Sequence, residues 1–114
     1  MIKGIGTDII EVARIKNSIR RFGKSFLNHI LTKEEITRAK DFKSPYQHYA
    51  GRFAAKEAIY KAWGDPKLSW QDICISNDKQ GRPQCLIRKK KAPKLLLSIS
   101  HCKTYATAVA VVTA

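Results

Sequence analysis

The chain has 114 residues, enough for one domain with a modest core and too few for two. Apolar residues make up 44% of it, which argues against disorder, and no apolar run reaches the length of a membrane span. Lysine and arginine number 22 against nine acidic residues, a formal charge of +13, so the chain expects an anionic partner: nucleic acid, an acidic protein, a phosphorylated small molecule or a membrane surface.

Residues 2–10 alternate as a strand, with Ile2, Gly4, Gly6, Asp8 and Ile10 on one face and Ile5 and Ile9 on the other. Glycine inside a strand marks a close approach of backbone or ligand, so Asp8 beside Gly4 and Gly6 can face a cavity. Asp8-Ile9-Ile10-Glu11 also reads as a capping box for the helix that follows, and local pattern does not separate the two. Residues 12–22 take helical spacing, with Val12, Ile15, Ile19 and Phe22 in one arc. Arg14 and Arg21 lie opposite it, flanked by Arg20 and Lys24. No acidic residue falls between Glu11 and Glu34, so this face is uniformly basic.

Thr32 and Glu35 form a capping box that opens a second helix, expected to end near Phe42 before Ser44-Pro45. A third helix is expected from about Gln47 to Trp63, ended by Gly64-Asp65-Pro66. Its small residues Ala50, Ala54 and Ala58 share one face, and Glu57 and Lys61 fall in the middle of that face. A buried stripe carries a carboxylate and an ammonium only if they are paired or metal-bound. The plain alternative is a surface pair at i, i+4. Arg52 and Lys56 point roughly the other way, where a solvated edge explains them. Short apolar runs at 73–76, 84–88, 95–100 and 105–112 read as strands separated by turn residues, and Lys89-Lys90-Lys91 reads as a solvated turn. Helices first and antiparallel strands afterwards predict an α+β fold with a sheet packed against helices.

Cys74, Cys85 and Cys102 are odd in number and form no C-x-x-C pair, so they are expected to be reduced, small apolar residues. The start Met1-Ile2-Lys3-Gly4 shows no signal core, and a soluble cytoplasmic protein is the expectation.

Taken together the motifs resemble a family. Gly4-Ile5-Gly6-Thr7-Asp8-Ile9-Ile10-Glu11 resembles the amino-terminal signature of the holo-[acyl-carrier-protein] synthases. Residues 52–62, Arg-Phe-Ala-Ala-Lys-Glu-Ala-Ile-Tyr-Lys-Ala, are similar to their central helix motif. Leu97-Ser98-Ile99-Ser100-His101, followed by Tyr105-Ala106 and a valine-rich run, resembles their carboxy-terminal hairpin. The resemblance implies magnesium-dependent transfer of 4′-phosphopantetheine from coenzyme A to a serine of an apo acyl carrier protein, usually for fatty-acid synthesis. It implies Asp8 and Glu57 as magnesium ligands, and Lys61 beside the same phosphates. It implies Arg52, Gly64 and His101 as coenzyme A contacts. Because carrier proteins are acidic, Arg14, Arg20, Arg21 and Lys24 become the carrier-docking face. Family members of this size form homotrimers with sites at the subunit interfaces. The loop Gly64-Asp65-Pro66-Lys67-Leu68 departs from the family, being shorter than the usual Gly- and Thr-rich segment. The competing expectation is a nucleic-acid-binding module without activity, which uses the charge and takes Trp63, Trp70 and Tyr105 as stacking groups.

Overall fold

The alternation read in the first residues becomes a strand, β1 (Ile2–Glu11), with Gly6 and Ile10 buried and Ile5 and Ile9 turned outward. The computed structural model, which describes residues 1–114, continues with the helices α1 (Val12–Phe22), α2 (Lys24–Ile30), α3 (Lys33–Ala39) and α4 (Pro45–Trp63). A single 3-10 turn at Trp70–Asp72 leads into β2 (Ile73–Asn77), β3 (Pro83–Ile87), β4 (Lys90–Lys91), β5 (Leu95–His101) and β6 (Tyr105–Thr113). The fold is α+β as expected, but the strands divide into two antiparallel sheets, ordered β1-β6-β5 and β2-β3-β4.

α4 lies across the inner face of the β1-β6-β5 sheet, and small residues on both sides make that possible. The inward side of β6 is Ala106, Ala108 and Ala110, all buried, and β1 adds Gly4 and Gly6 beside them. Against these strands α4 sets Ala54, Ala58 and Ala62. The approach is close enough that a Cβ built on Gly4 would collide with the carbonyl oxygen of Ala62, and one on Gly6 with that of Ala58. The glycines therefore admit a helix backbone, not a ligand. Gly6→Ala is expected to cost at least about 3 kcal/mol, because the atom it meets is backbone and cannot turn aside. The urea midpoint checks this; an unchanged midpoint would mean the helix sits farther from the strand.

The opposite side of α4 is buried as well. Lys56, expected at a solvated edge, is 1% exposed, and its ammonium donates to Glu35 Oε1 at 2.6 Å, to Ile30 O at 2.8 Å and to Trp70 O at 3.1 Å. Glu35 completes the network by accepting from the backbone of Thr32 and of Ile75. Arg52 is also buried and donates to Asn77 Oδ1 at 2.8 Å. A wheel places residues relative to one another but does not say which side meets solvent, and in α4 the open edge runs through Glu57, Tyr60 and Lys61 rather than through Arg52 and Lys56.

Smaller differences have local causes. The Thr32–Glu35 capping box opens α3 as expected, but α3 ends at Ala39, and the backbone tightens into i to i−3 hydrogen bonds as far as Phe42. Gly23, at φ 60°, breaks the basic segment, so Lys24 opens α2, a helix that the sequence pattern did not reveal. Phe22 is 56% exposed rather than packed in the arc. The lysine run is not wholly a turn, since Lys90 and Lys91 form β4 beside Leu86 and Ile87. Cys74 and Cys85 fit the apolar reading, whereas Cys102 is exposed, in the turn before β6.

Candidate active site

Asp8 stands at the inner edge of β1, where the Thr107 hydroxyl of β6 donates to its backbone oxygen at 2.9 Å and fixes the strand there. α4, held close by Gly4 and Gly6, brings Glu57 and Lys61 beside it. Lys61 Nζ donates to Thr7 O at 2.9 Å and lies 3.6 Å from Asp8 Oδ1. Both carboxyls titrate above their ordinary range. Burial is the main cause for each; the nearby Asp8 charge adds to the effect on Glu57, and Lys61 opposes it at both.

Two expectations are corrected by this arrangement. Asp8 is not a helix cap: it lies within β1, and α1 begins after Glu11, whose side chain makes no capping bond. Glu57 and Lys61 do not sit in the middle of the packing stripe and do not pair with each other. Glu57 is at the half-buried rim, Lys61 is half exposed, and the ion pair of Lys61 is with Asp8.

One lysine facing two carboxylates leaves part of their repulsion uncompensated. A hard divalent cation suits that donor set, since magnesium binds through one or two carboxylates and takes water and phosphate oxygens for the rest. Nowhere do three or more His, Cys, Asp or Glu side chains gather as an all-protein metal cage would require. Beside Glu57 opens a cleft of about 160 Å³, bounded by Tyr60, Leu68, Ser69 and Trp70. It is too small for a whole nucleotide coenzyme and large enough for part of one. Local pattern does not single out Leu68 or Ser69, because the loop after α4 folds back against Glu57 and Tyr60 only in three dimensions.

Arg52 and His101 form a second cluster. They line one cavity together with Arg38, His48, Asn77 and Lys79. His101 closes β5, while Asp8 lies on β1, and these strands are the two opposite edges of one sheet. The predicted site residues of one chain thus fall into two groups, Asp8 with Glu57 and Lys61, and Arg52 with His101. Gly64 belongs to neither group's lining; at φ 79° it is the left-handed residue that ends α4. Arg14, Arg20, Arg21 and Lys24 are all exposed, the first three on α1 and the last opening α2. Of the three supposed stacking groups, Trp63 and Trp70 pack against the core, with Trp70 stacked on Phe53 at 5.1 Å, and only Tyr105 is exposed. Those three residues do not form a stacking platform.

Comparison with known proteins agrees with the geometry. Residues 4–110 match the model of the 4′-phosphopantetheinyl transferase superfamily. A holo-[acyl-carrier-protein] synthase of Protochlamydia amoebophila is 48% identical over 119 residues, covering 97% of this chain and 98% of that protein. The solved holo-(acyl-carrier-protein) synthase of Bacillus anthracis, in complex with coenzyme A (3′,5′-ADP), superposes with a TM-score of 0.85 at 40% identity, covering 98% of this chain and 96% of that one. The Helicobacter pylori holo-[acyl-carrier-protein] synthase in complex with coenzyme A gives a TM-score of 0.80 at 37% identity, covering 96% and 99% of the two chains. By family model, sequence identity and fold alike, the chain belongs to the holo-[acyl-carrier-protein] synthases of the 4′-phosphopantetheinyl transferase superfamily.

Proposed function

We propose that the reaction uses coenzyme A as donor and a serine hydroxyl of an apo acyl carrier protein as acceptor, with adenosine 3′,5′-bisphosphate leaving, and that Asp8 and Glu57 hold magnesium for it. The observation that carries this reading is the convergence of two part-buried carboxylates with raised proton affinity beside the Lys61 ammonium. Bound there, magnesium supplies neutralisation of charge at the coenzyme's pyrophosphate. The serine oxygen forms a bond to the phosphorus that bears pantetheine, the pyrophosphate bridge breaks to release adenosine 3′,5′-bisphosphate, and the serine proton passes to Glu57 or to water. Lys61 places a positive charge where the leaving phosphate becomes more negative.

The test is direct: incubate the protein with coenzyme A, magnesium and an apo carrier, and weigh the carrier. A phosphopantetheine mass gain is expected. None, with a known transferase active on the same carrier, would refute the reading.

Assembly follows from the division of the site. Arg52 and His101 suit the nucleotide phosphates, yet within one chain they lie across the sheet from Asp8 and Glu57. A homotrimer with sites between subunits would join one chain's carboxylates to a neighbour's cations. The outward face of the β1-β6-β5 sheet favours such contact, since Ile5, Ile9, Leu96, Tyr105 and Val109 are all at least 40% exposed.

The exposed basic face of α1 and the start of α2 docks the acidic carrier through Arg14, Arg20, Arg21 and Lys24. Arg14→Glu is expected to raise the KM for the carrier roughly tenfold or more while leaving that for coenzyme A nearly unchanged, because reversing an interface charge adds repulsion to the lost attraction. Steady-state kinetics at low and high salt check this; equal changes in both constants would place the docking face elsewhere.

A further inference from the structure

Only two buried side-chain nitrogens in the chain lack any hydrogen-bond partner, His48 Nε2 and Arg52 Nε. They belong to residues one helical turn apart on α4, and both residues line the cavity that holds His101. Buried polar atoms are nearly always partnered, so two orphans in one place mark something that the free chain does not supply.

The surroundings say what is missing. Arg38 reaches this cavity from α3, Arg52 from α4, His101 from the end of β5, and Lys79 from the turn between β2 and β3. Asp78 is the one acidic residue in the lining, and its Oδ1 is already occupied by the backbone N–H groups of Gln80 and Arg82. A half-buried imidazole among these cations, which outnumber the single Asp78 carboxylate, is complementary to a phosphate. The ring of His48 is stacked on Phe42 at 4.6 Å and 25°, which holds it against the cavity wall.

We propose that His48 is a proton-coupled member of the nucleotide subsite: neutral in the free protein, it takes a proton from solvent when a phosphate group enters among His48, Arg52, Arg38 and His101, so that coenzyme A binding is linked to proton uptake. This rests on the reading that Arg52 and His101 hold the nucleotide end of the coenzyme. The electrostatics of the free chain fit it. Burial first, then the charges of Arg52, Arg38 and His101, lower the pKa of His48 to about 4. A dianion placed among the same groups reverses the sign of the local field and favours the imidazolium. The coupling makes coenzyme A affinity fall as pH rises, by at most roughly tenfold per unit for one linked proton. Sequence reading singled out Arg52 and His101 here but not His48, which has no family motif to announce it.

The probe is adenosine 3′,5′-bisphosphate, titrated calorimetrically at pH 6 in two buffers of different ionisation enthalpy, which counts the protons taken up per ligand bound. Wild type, His48→Gln, His48→Phe and His101→Gln are compared, each first shown to be folded by its thermal melt. His48→Phe keeps the stack on Phe42. The phosphate's own protonation, with a second pKa near 6, is common to all and cancels in the differences. Wild type is expected to take up between roughly half and one proton more than either His48 variant, and His101→Gln to bind more weakly yet keep the excess. Equal uptake in wild type and the His48 variants, or an excess lost only in His101→Gln, overturns the proposal while leaving the subsite in place. No binding of the bisphosphate by wild type overturns the nucleotide-subsite reading itself, and the inference with it.

Discussion

Glu57→Gln is expected to reduce phosphopantetheine transfer by at least roughly 10²–10³-fold, the scale of losing one preorganised charge at a reacting centre, while making the metal-free protein more stable at neutral pH. The two effects have one cause. Folding brings Glu57 into a half-buried position beside Asp8, so the pKa of its carboxyl is higher in the folded chain than in the unfolded one. The unfolded chain therefore holds the ionised form more readily, and at a pH above the folded pKa the ionised Glu57 weighs against folding. That penalty shrinks as pH falls through the folded pKa and is absent below the unfolded one, so the advantage of the variant should vanish in acid. Added magnesium should raise the melting temperature of the wild type and not that of the variant, because a ligand that binds only the folded state stabilises it. Asp8→Asn should behave alike, since burial raises its pKa too. Tm measured across pH, with and without magnesium, beside the transfer rate, gives the check. A variant less stable than wild type at neutral pH, or one that transfers at the wild-type rate, would remove Glu57 from the proposed metal site.

The second large effect concerns stability alone. Lys56→Met is expected to destabilise the fold by about 3–5 kcal/mol, the cost of stranding one member of a buried ion pair. Both side chains of the Lys56–Glu35 pair are fully buried at 2.6 Å, and the lysine also holds the carbonyls of Ile30 and Trp70. Its loss leaves the Glu35 charge with only the backbone N–H donors of Thr32 and Ile75. A small domain has only about 5–15 kcal/mol to lose, and a fall in Tm on the order of 15 °C follows. The double variant Lys56→Met with Glu35→Leu should recover part of the loss, because no charge then remains stranded, but not all of it, because the N–H donors of Thr32 and Ile75 lose their acceptor. Chemical denaturation of the four proteins forms the cycle. A single variant that melts within a few degrees of wild type would mean that water reaches this network.

The local features were legible in the order of residues alone. The alternation of β1, the capping box at Thr32 and Glu35, the left-handed stop at Gly64 and the four main late strands are set by neighbours a few residues apart, and the structure follows them closely. The motif positions of Asp8, Glu57, Lys61, Arg52 and His101 were likewise legible as a set. What each residue faces depended on how the elements pack. Gly4 and Gly6 signalled a close approach, yet nothing in the strand said that the approaching group was the backbone of α4 at Ala58 and Ala62. Lys56 looked solvated on a wheel, and its real partners lie 14, 21 and 26 residues away in the chain. Asp8 was as good a helix cap as a site residue until β1 ran past it to Glu11. Local pattern records the short-range preferences of backbone and side chain, whereas burial and charge pairing depend on which distant segments meet. That meeting places Asp8 beside Glu57 on one edge of the sheet and Arg52 with His101 on the other.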